Sequence, residues 1–301
     1  MNKSRLRGAI QATVGMLLVG SLVAVNASIN DYPIYTAHAI RYALAAVALC
    51  AILAVRKPEP VRLNRREVVL LLALAIGGLA VFNVAIAEAT HFASSALVGT
   101  IVGSGPIVMA ILGPLVARSG RPSGQVLVAA VAVTVGTAVA TGLGGGDPLG
   151  ALLAAVALAG EVSFSLLAVP LLPKLGALRV SAYTAVISVP LLLAAGWLID
   201  GPAMLRVPDL GELSAIVYLG LVVTTAGFLL WYDSLPRLGP DRAGLFAGIM
   251  PIGAITTMML LGQGLPSPAE ALGAALVVGG ILYGVRRTAA RVGPVVASQN
   301  A

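Results

Sequence analysis

An all-helical integral membrane fold with ten crossings is predicted by three observations. The composition is overwhelmingly apolar, the charges gather in short clusters about twenty residues apart, and the basic residues occupy alternate connections. Of the 301 residues, 58% are hydrophobic and 10% charged, against about 25% charged in a soluble domain, and the mean hydropathy is +0.98. Helices rather than strands must do the spanning, because runs such as ALLAAVALAG lack the alternation of a barrel strand. Such runs are long enough to carry a helix across the roughly 30 Å hydrocarbon core at about 1.5 Å per residue.

Charges, prolines and turn clusters divide the chain into spans at roughly 9–28, 34–55, 68–88, 95–117, 125–142, 149–169, 180–199, 213–232, 243–262 and 269–285. The first run is expected to stay in the mature protein, since it is long, carries Asn26 and precedes no small-residue cleavage site followed by a soluble domain. Lys3, Arg5 and Arg7 precede it. Alternate connections then hold Arg56, Lys57, Arg62, Arg65 and Arg66; Arg118 and Arg121; Lys174 and Arg179; Arg237 and Arg242; and Arg286, Arg287 and Arg291 end the series. Every one of the 19 Lys and Arg except Arg41 and Arg206 thus falls on one side. Cytoplasmic loops carry such an excess, so both termini are expected in the cytoplasm. The net charge of +7 is explained by basic loops meeting anionic headgroups. The lipid bilayer is therefore an expected partner, and nucleic acid is not, because no basic patch is interleaved with aromatic residues. Cys50, alone within an apolar run, reads as a packing residue and excludes an internal disulfide.

The second half repeats the first. At an offset of 145 residues, GTIVG at 99–103 maps onto GLFAG at 244–248, Pro106 onto Pro251, and Glu88 onto Asp233. At 144, Pro122 and Ser123 map onto Pro266 and Ser267, and Gly136 onto Gly280. A matched acid, GxxxG and proline together are far more specific than GxxxG alone. Residues 1–143 and 144–288 are expected to form two five-helix repeats, followed by a cytoplasmic tail at 289–301. With five spans each, the second repeat enters the membrane inverted, the plan of many secondary transporters.

The stretch AIAEATHFASSALVGTIVGSGPIVMAILGPL, its counterpart FLLWYDSLPRLGPDRAGLFAGIMPIGAITTMMLLGQGLPSPAEALGAALVVGGILYGV, and Arg41 within HAIRYALAA resemble the EamA-type transporters of the drug/metabolite transporter superfamily. The resemblance covers nearly the whole chain. It departs where many relatives carry a Glu before the fifth and tenth helices, since RSGR at 118–121 and Gln263 stand there. The resemblance implies a ten-helix export carrier in a bacterial inner membrane, for amino acids, small metabolites or cationic drugs. It also implies that helices 1, 3, 4, 6, 8 and 9 line a central cavity, with 2, 5, 7 and 10 outside.

Charged groups within the spans are the candidate working parts, because each costs about 2.5–3.5 kcal/mol at a helix centre. Glu161 in LAGEVSFSLL is the only charged residue between Asp147 and Lys174, and both lie too far along the helix for it to reach water. It should face a cavity or a partner, as a proton-exchanging group or a contact for a basic substrate. The alternative is a structural carboxyl bonded to Ser163, Ser165 or a neighbouring helix. Arg41 is expected in the outer half of the second span, either binding a substrate carboxylate, pairing with a helix carbonyl or acid, or snorkelling outward. Glu88 and Asp233 read as mirrored gate residues at opposite span ends, though Arg237 at i+4 offers Asp233 an ordinary salt bridge and His91 at i+3 accompanies Glu88. Asn26, Asn83 and His38 are polar groups for substrate or interhelical hydrogen bonds. Trp231 and Tyr232 read as interfacial anchors or as a stacking surface for substrate. Pro106 and Pro251 interrupt spans four and nine as kinks or hinges.

No catalytic or cofactor motif competes with this reading. GLGGGD at 142–147 lacks the GK[ST] end of a P-loop, two histidines and one cysteine give no metal spacing, and GSG at 103–105 with His38 has no GxSxG elbow. No cofactor or metal is expected. The functions in contention are an amino-acid or small-metabolite exporter working by alternating access with proton coupling or exchange, a polyspecific cationic drug exporter, and a non-transporting scaffold. An aromatic content of only 5% weighs against the second, and the inverted repeat with its buried acid against the third.

Overall fold

The computed structural model describes residues 3–26, 29, 32–262 and 264–286. Gln263, Arg287, Arg291 and the expected tail at 289–301 lie outside the described residues. Ten helices long and apolar enough to cross a membrane follow one another: α1 Lys3–Asn26, α2 Ile34–Arg56, α3 Arg65–Phe92, α4 Ser95–Val116, α5 Gly124–Thr141, α6 Pro148–Leu166, α7 Leu172–Leu205, α8 Leu210–Leu238, α9 Pro240–Leu260 and α10 Pro268–Val285. Among the described residues no strand forms, and a single bridge joins Ala93 to Gly146. The outer surface is apolar, with residues such as Val47, Leu152 and Leu282 exposed as lipid-facing positions would be.

Helices α3, α7 and α8 run longer than charge boundaries suggested, because their terminal charges are held rather than released. Capping boxes start α3 at Asn64 and Glu67 and α8 at Asp209 and Glu212, each satisfying otherwise orphaned N–H groups. Lys174 sits inside the first turn of α7 and reaches Glu67 at 2.8 Å, so it does not end the span. Helix α8 continues past Asp233, whose carboxylate is paired, to Leu238.

The basic connections come together at one end of the bundle. Lys174 donates to the Arg62 carbonyl at 2.8 Å, Arg179 donates to the Glu59 carbonyl, Arg7 lies 3.8 Å from Asp233, and Gln125 donates to the Arg286 carbonyl at 3.0 Å. The other end holds Asp200, Arg206 and Glu212, with Thr36 bound to Asp200 and Arg206 2.7 Å from Glu212. Helix α1 therefore starts at the basic face and α6 at the opposite one, which is the inverted arrangement.

Internal symmetry extends beyond the matched motifs. The π-helical segments Leu74–Val81 and Leu219–Ala226 interrupt α3 and α8 at the same 145-residue offset, as do the two capping boxes. Gly15 of α1 and Gly160 of α6 obey it too. A Cβ on Gly15 would stand 3.5 Å from the Gly227 carbonyl oxygen, and one on Gly160 would stand 3.0 Å from Cβ of Phe82, the residue equivalent to Gly227. Helices α1, α3, α4, α6, α8 and α9 pack as the central group, while α2 pairs with α7 and α5 with α10 at the flanks.

Candidate transport site

Helix α6 carries Glu161 toward the point where α4 breaks. Helix α4 consists of Ser95–Val102 and Gly105–Val116, with Pro106 at the start of the second segment, where a missing N–H costs nothing. A Cβ on Gly105 would lie 3.7 Å from Glu161 Oε1, so the carboxyl faces this break. Its Oε2 is buried and receives no hydrogen bond from the described residues. The expected partner Ser165 is engaged elsewhere, accepting from Trp231 Nε1 at 3.1 Å. Glu161 also lies nearer the basic face than the sequence suggested, because α6 ends at Leu166, about 7.5 Å further on.

One turn along, Phe164 anchors a cluster of four aromatic rings. Its centroid is 4.8 Å from both Phe228 and Tyr232, and Phe228 is 6.2 Å from Tyr42. Tyr232 also donates to the Phe164 carbonyl at 3.2 Å. Trp231 and Tyr232 are 3% and 0% exposed, which corrects their reading as interfacial anchors. The reason is that α8 continues beyond them, so both rings fall within the packed bundle rather than at its rim.

On the other side of this cluster stands Arg41, 4% exposed, with Nε donating to Thr224 Oγ1 at 2.6 Å and the guanidinium 5.2 Å from the Tyr42 ring centroid. Snorkelling is thereby excluded. Gly220 lets α8 approach α2 so closely that a Cβ there would be 2.9 Å from the Arg41 carbonyl oxygen, and the side chain is covered. Among the described residues no carboxylate pairs with Arg41. Thr224 belongs to the π-helical segment of α8, where its hydroxyl also reaches the Leu219 carbonyl at 2.9 Å. His38 is buried one turn before Arg41 with Nδ1 unpartnered. Asn83 donates to Tyr42 Oη at 3.2 Å and to the Leu79 carbonyl at 2.7 Å, so it joins α3 to α2. Asn26 Oδ1, at the far end of α1, is buried and has no hydrogen-bond partner among the described residues.

The mirrored acids occupy opposite ends of the bundle. Glu88 accepts a hydrogen bond from Tyr35 on α2. Asp233 is 3.0 Å from Arg237, the expected i,i+4 pair, and also accepts from Gln11 at 2.6 Å. Pro251 opens the last segment of α9, Met250–Leu260, after a 3-10 turn at Phe246–Ile249.

The candidate residues therefore form two neighbouring groups, Arg41, His38 and Asn83 around Tyr42, and Glu161, Trp231 and Tyr232 around Phe164. The aromatic rings join them, whereas Glu88, Asp233, Asn26 and Pro251 stand apart. Thr224, Tyr42, Phe164, Phe228 and Tyr35 were not singled out by the sequence, since a threonine, tyrosine or phenylalanine on an apolar helix carries no positional signal of its own. Among the described residues no group of three or more His, Cys, Asp and Glu comes together to hold a metal.

Residues 6–142 match the EamA-like transporter family, and residues 148–285 match it a second time. Two relatives from Bacillus subtilis (strain 168) are similar along most of their length. The uncharacterized transporter YetK is 25% identical over 294 residues, covering 94% of this chain and 88% of that protein. The uncharacterized transporter YdeK is 28% identical over 267 residues, covering 83% and 87%. One solved crystal structure, 20% identical, superposes with a TM-score of 0.75 over 92% of this chain and 95% of its own, a likeness of fold.

Proposed function

The chain belongs to the EamA-like transporter family, and we propose that it exports amino acids or related small metabolites by alternating access, with Glu161 as the proton-exchanging group. The observation that carries this reading is the carboxyl of Glu161, which is buried, receives no hydrogen bond at Oε2 from the described residues and faces the break in α4. Intramembrane acids without a structural partner are costly, and a coupling role accounts for the cost. Arg41 supports the amino-acid assignment. Its guanidinium is buried and, among the described residues, has no carboxylate partner, which suits it to the carboxylate of a substrate. In this reading both termini are cytoplasmic, Glu88 with Tyr35 closes the outer end, and Asp233 with Arg237 and Gln11 closes the inner end. The site lies in a bacterial cytoplasmic membrane.

A second reading draws on the aromatic cluster. Four clustered rings, one of them on Phe164 a helical turn after Glu161, suit a flat organic cation, so polyspecific cation export is the alternative. The two are separated by loading proteoliposomes with mixed amino acids, metabolites and cationic dyes, imposing a pH gradient and identifying the released compounds by mass spectrometry. Release of amino acids or metabolites above empty-liposome controls is expected. Release of dyes alone would favour the alternative, and no release from folded protein would overturn both.

A further inference from the structure

Outside the central group, helices α1, α9 and α10 enclose a groove of about 960 Å³ that starts at the basic face. Its α1 wall consists of Arg5, Ala9, Ile10, Thr13 and Val14, positions that recur on one face of a helix. Its α10 wall is formed by Val278, Ile281, Leu282, Val285 and the adjoining Arg286. The floor is Phe246 and Ile249 of α9, both buried in the main core.

Polarity is graded along this groove. Arg5 and Arg286 stand at the same end, and among the described residues neither is in an ion pair. Beyond them every lining side chain is apolar except Thr13. From Arg5 to Val14 the groove extends about 13 Å along α1, close to half of the roughly 30 Å hydrocarbon thickness. Two cations at the depth of the headgroups, above an apolar trough one leaflet deep, have the shape and charge of one ligand class.

We propose that this groove is a binding site for an anionic phospholipid of the leaflet at the basic face, with its phosphate between Arg5 and Arg286 and an acyl chain along α1 and α10. Because α9 forms the floor and contains the 3-10 turn at Phe246–Ile249, an acyl chain here touches a central helix at its irregular point. The lipid is thus placed to bias the motion of α9. The proposal does not depend on which substrate is carried.

Native mass spectrometry of the full chain, titrated with phosphatidylglycerol or phosphatidylcholine, tests it. One phosphatidylglycerol should be retained preferentially, and the double variant Arg5→Ala/Arg286→Ala should bind it roughly tenfold to thirtyfold more weakly, as expected for two basic residues at an anionic surface. Arg118→Ala/Arg121→Ala, which removes two exposed arginines elsewhere on the same face, should leave retention unchanged. Thr13→Phe should reduce retention of the lipid by filling the trough at constant charge. Equal retention of the two lipids, or equal loss in both double arginine variants, would overturn the site. Retention that appears only after removal of residues 287–301 would assign the groove to the chain's own C-terminus, and a phosphatidylglycerol-insensitive dimer would assign it to a second copy.

Discussion

The two halves of this chain share a scaffold and differ in their charges. Capping boxes, π-helical segments, broken helices and the helix-packing glycines Gly15 and Gly160 all recur at one offset of 145 residues. The same offset sets Glu161 opposite Met16, which is buried in the main core. It also sets Thr224, the partner of Arg41, opposite Leu79. Symmetry therefore accounts for the backbone that two inverted repeats require, and the proposed coupling and substrate groups are departures from it. The mirrored acids Glu88 and Asp233 follow the symmetry, since both halves have one and each is bonded to its neighbours.

The largest effect should come from moving the acid across the symmetry. Combining Met16→Glu with Glu161→Met keeps the composition but puts the carboxylate in the mirrored position, and flux driven by a pH gradient should disappear in proteoliposomes. Retained flux would mean that the halves are interchangeable. Next is Arg41→Lys, which keeps the charge and loses the planar fork. It should raise KM for carboxylate-bearing substrates by roughly tenfold to a hundredfold, the worth of a charged hydrogen bond. Substrates without a carboxylate should be unaffected, and an equal rise for both would reduce Arg41 to a packing role.

Stability sharpens the scaffold side of the comparison. Gly160→Ala should destabilise by about 1–3 kcal/mol, because the new methyl would meet the Gly77 carbonyl oxygen at 2.8 Å. Gly15→Ala has its nearest neighbour at 3.5 Å and should be close to neutral. Thermal unfolding in detergent would read the difference, and equal losses would contradict the packing described. The smallest effects should come from Asn64→Ala and Asp209→Ala, each costing about 1 kcal/mol through a lost cap. Their similarity is the prediction, and a large disparity would show that the matched caps are not equivalent.

Much of the fold could be read from the sequence because membrane insertion imposes it. Charges cannot sit cheaply in hydrocarbon, so their spacing located ten spans, and the matched Pro106 and Pro251 exposed the repeat. Span ends were less accurate where a charge was paired. Asp233 looked like the end of α8, but Arg237 and Gln11 neutralise it and the helix continues, which is why Trp231 and Tyr232 turned out buried. Glu161 and Arg41 stood out as lone charges. Their surroundings did not, because Thr224, Gly105 and Phe164 acquire significance only when α2, α4, α6 and α8 are brought together. The capping boxes of Asn64 with Glu67 and Asp209 with Glu212 were established by the structure, which extended the repeat beyond the matched motifs.

The central claim is that one half alone supplies the coupling carboxylate. It is tested most directly by measuring substrate efflux from proteoliposomes across a series of internal and external pH values, for the native chain, Glu161→Gln and Met16→Gln. Loss of the pH dependence in Glu161→Gln, with normal folding and with Met16→Gln resembling the native chain, is the predicted result. A pH profile unchanged by Glu161→Gln would contradict the account.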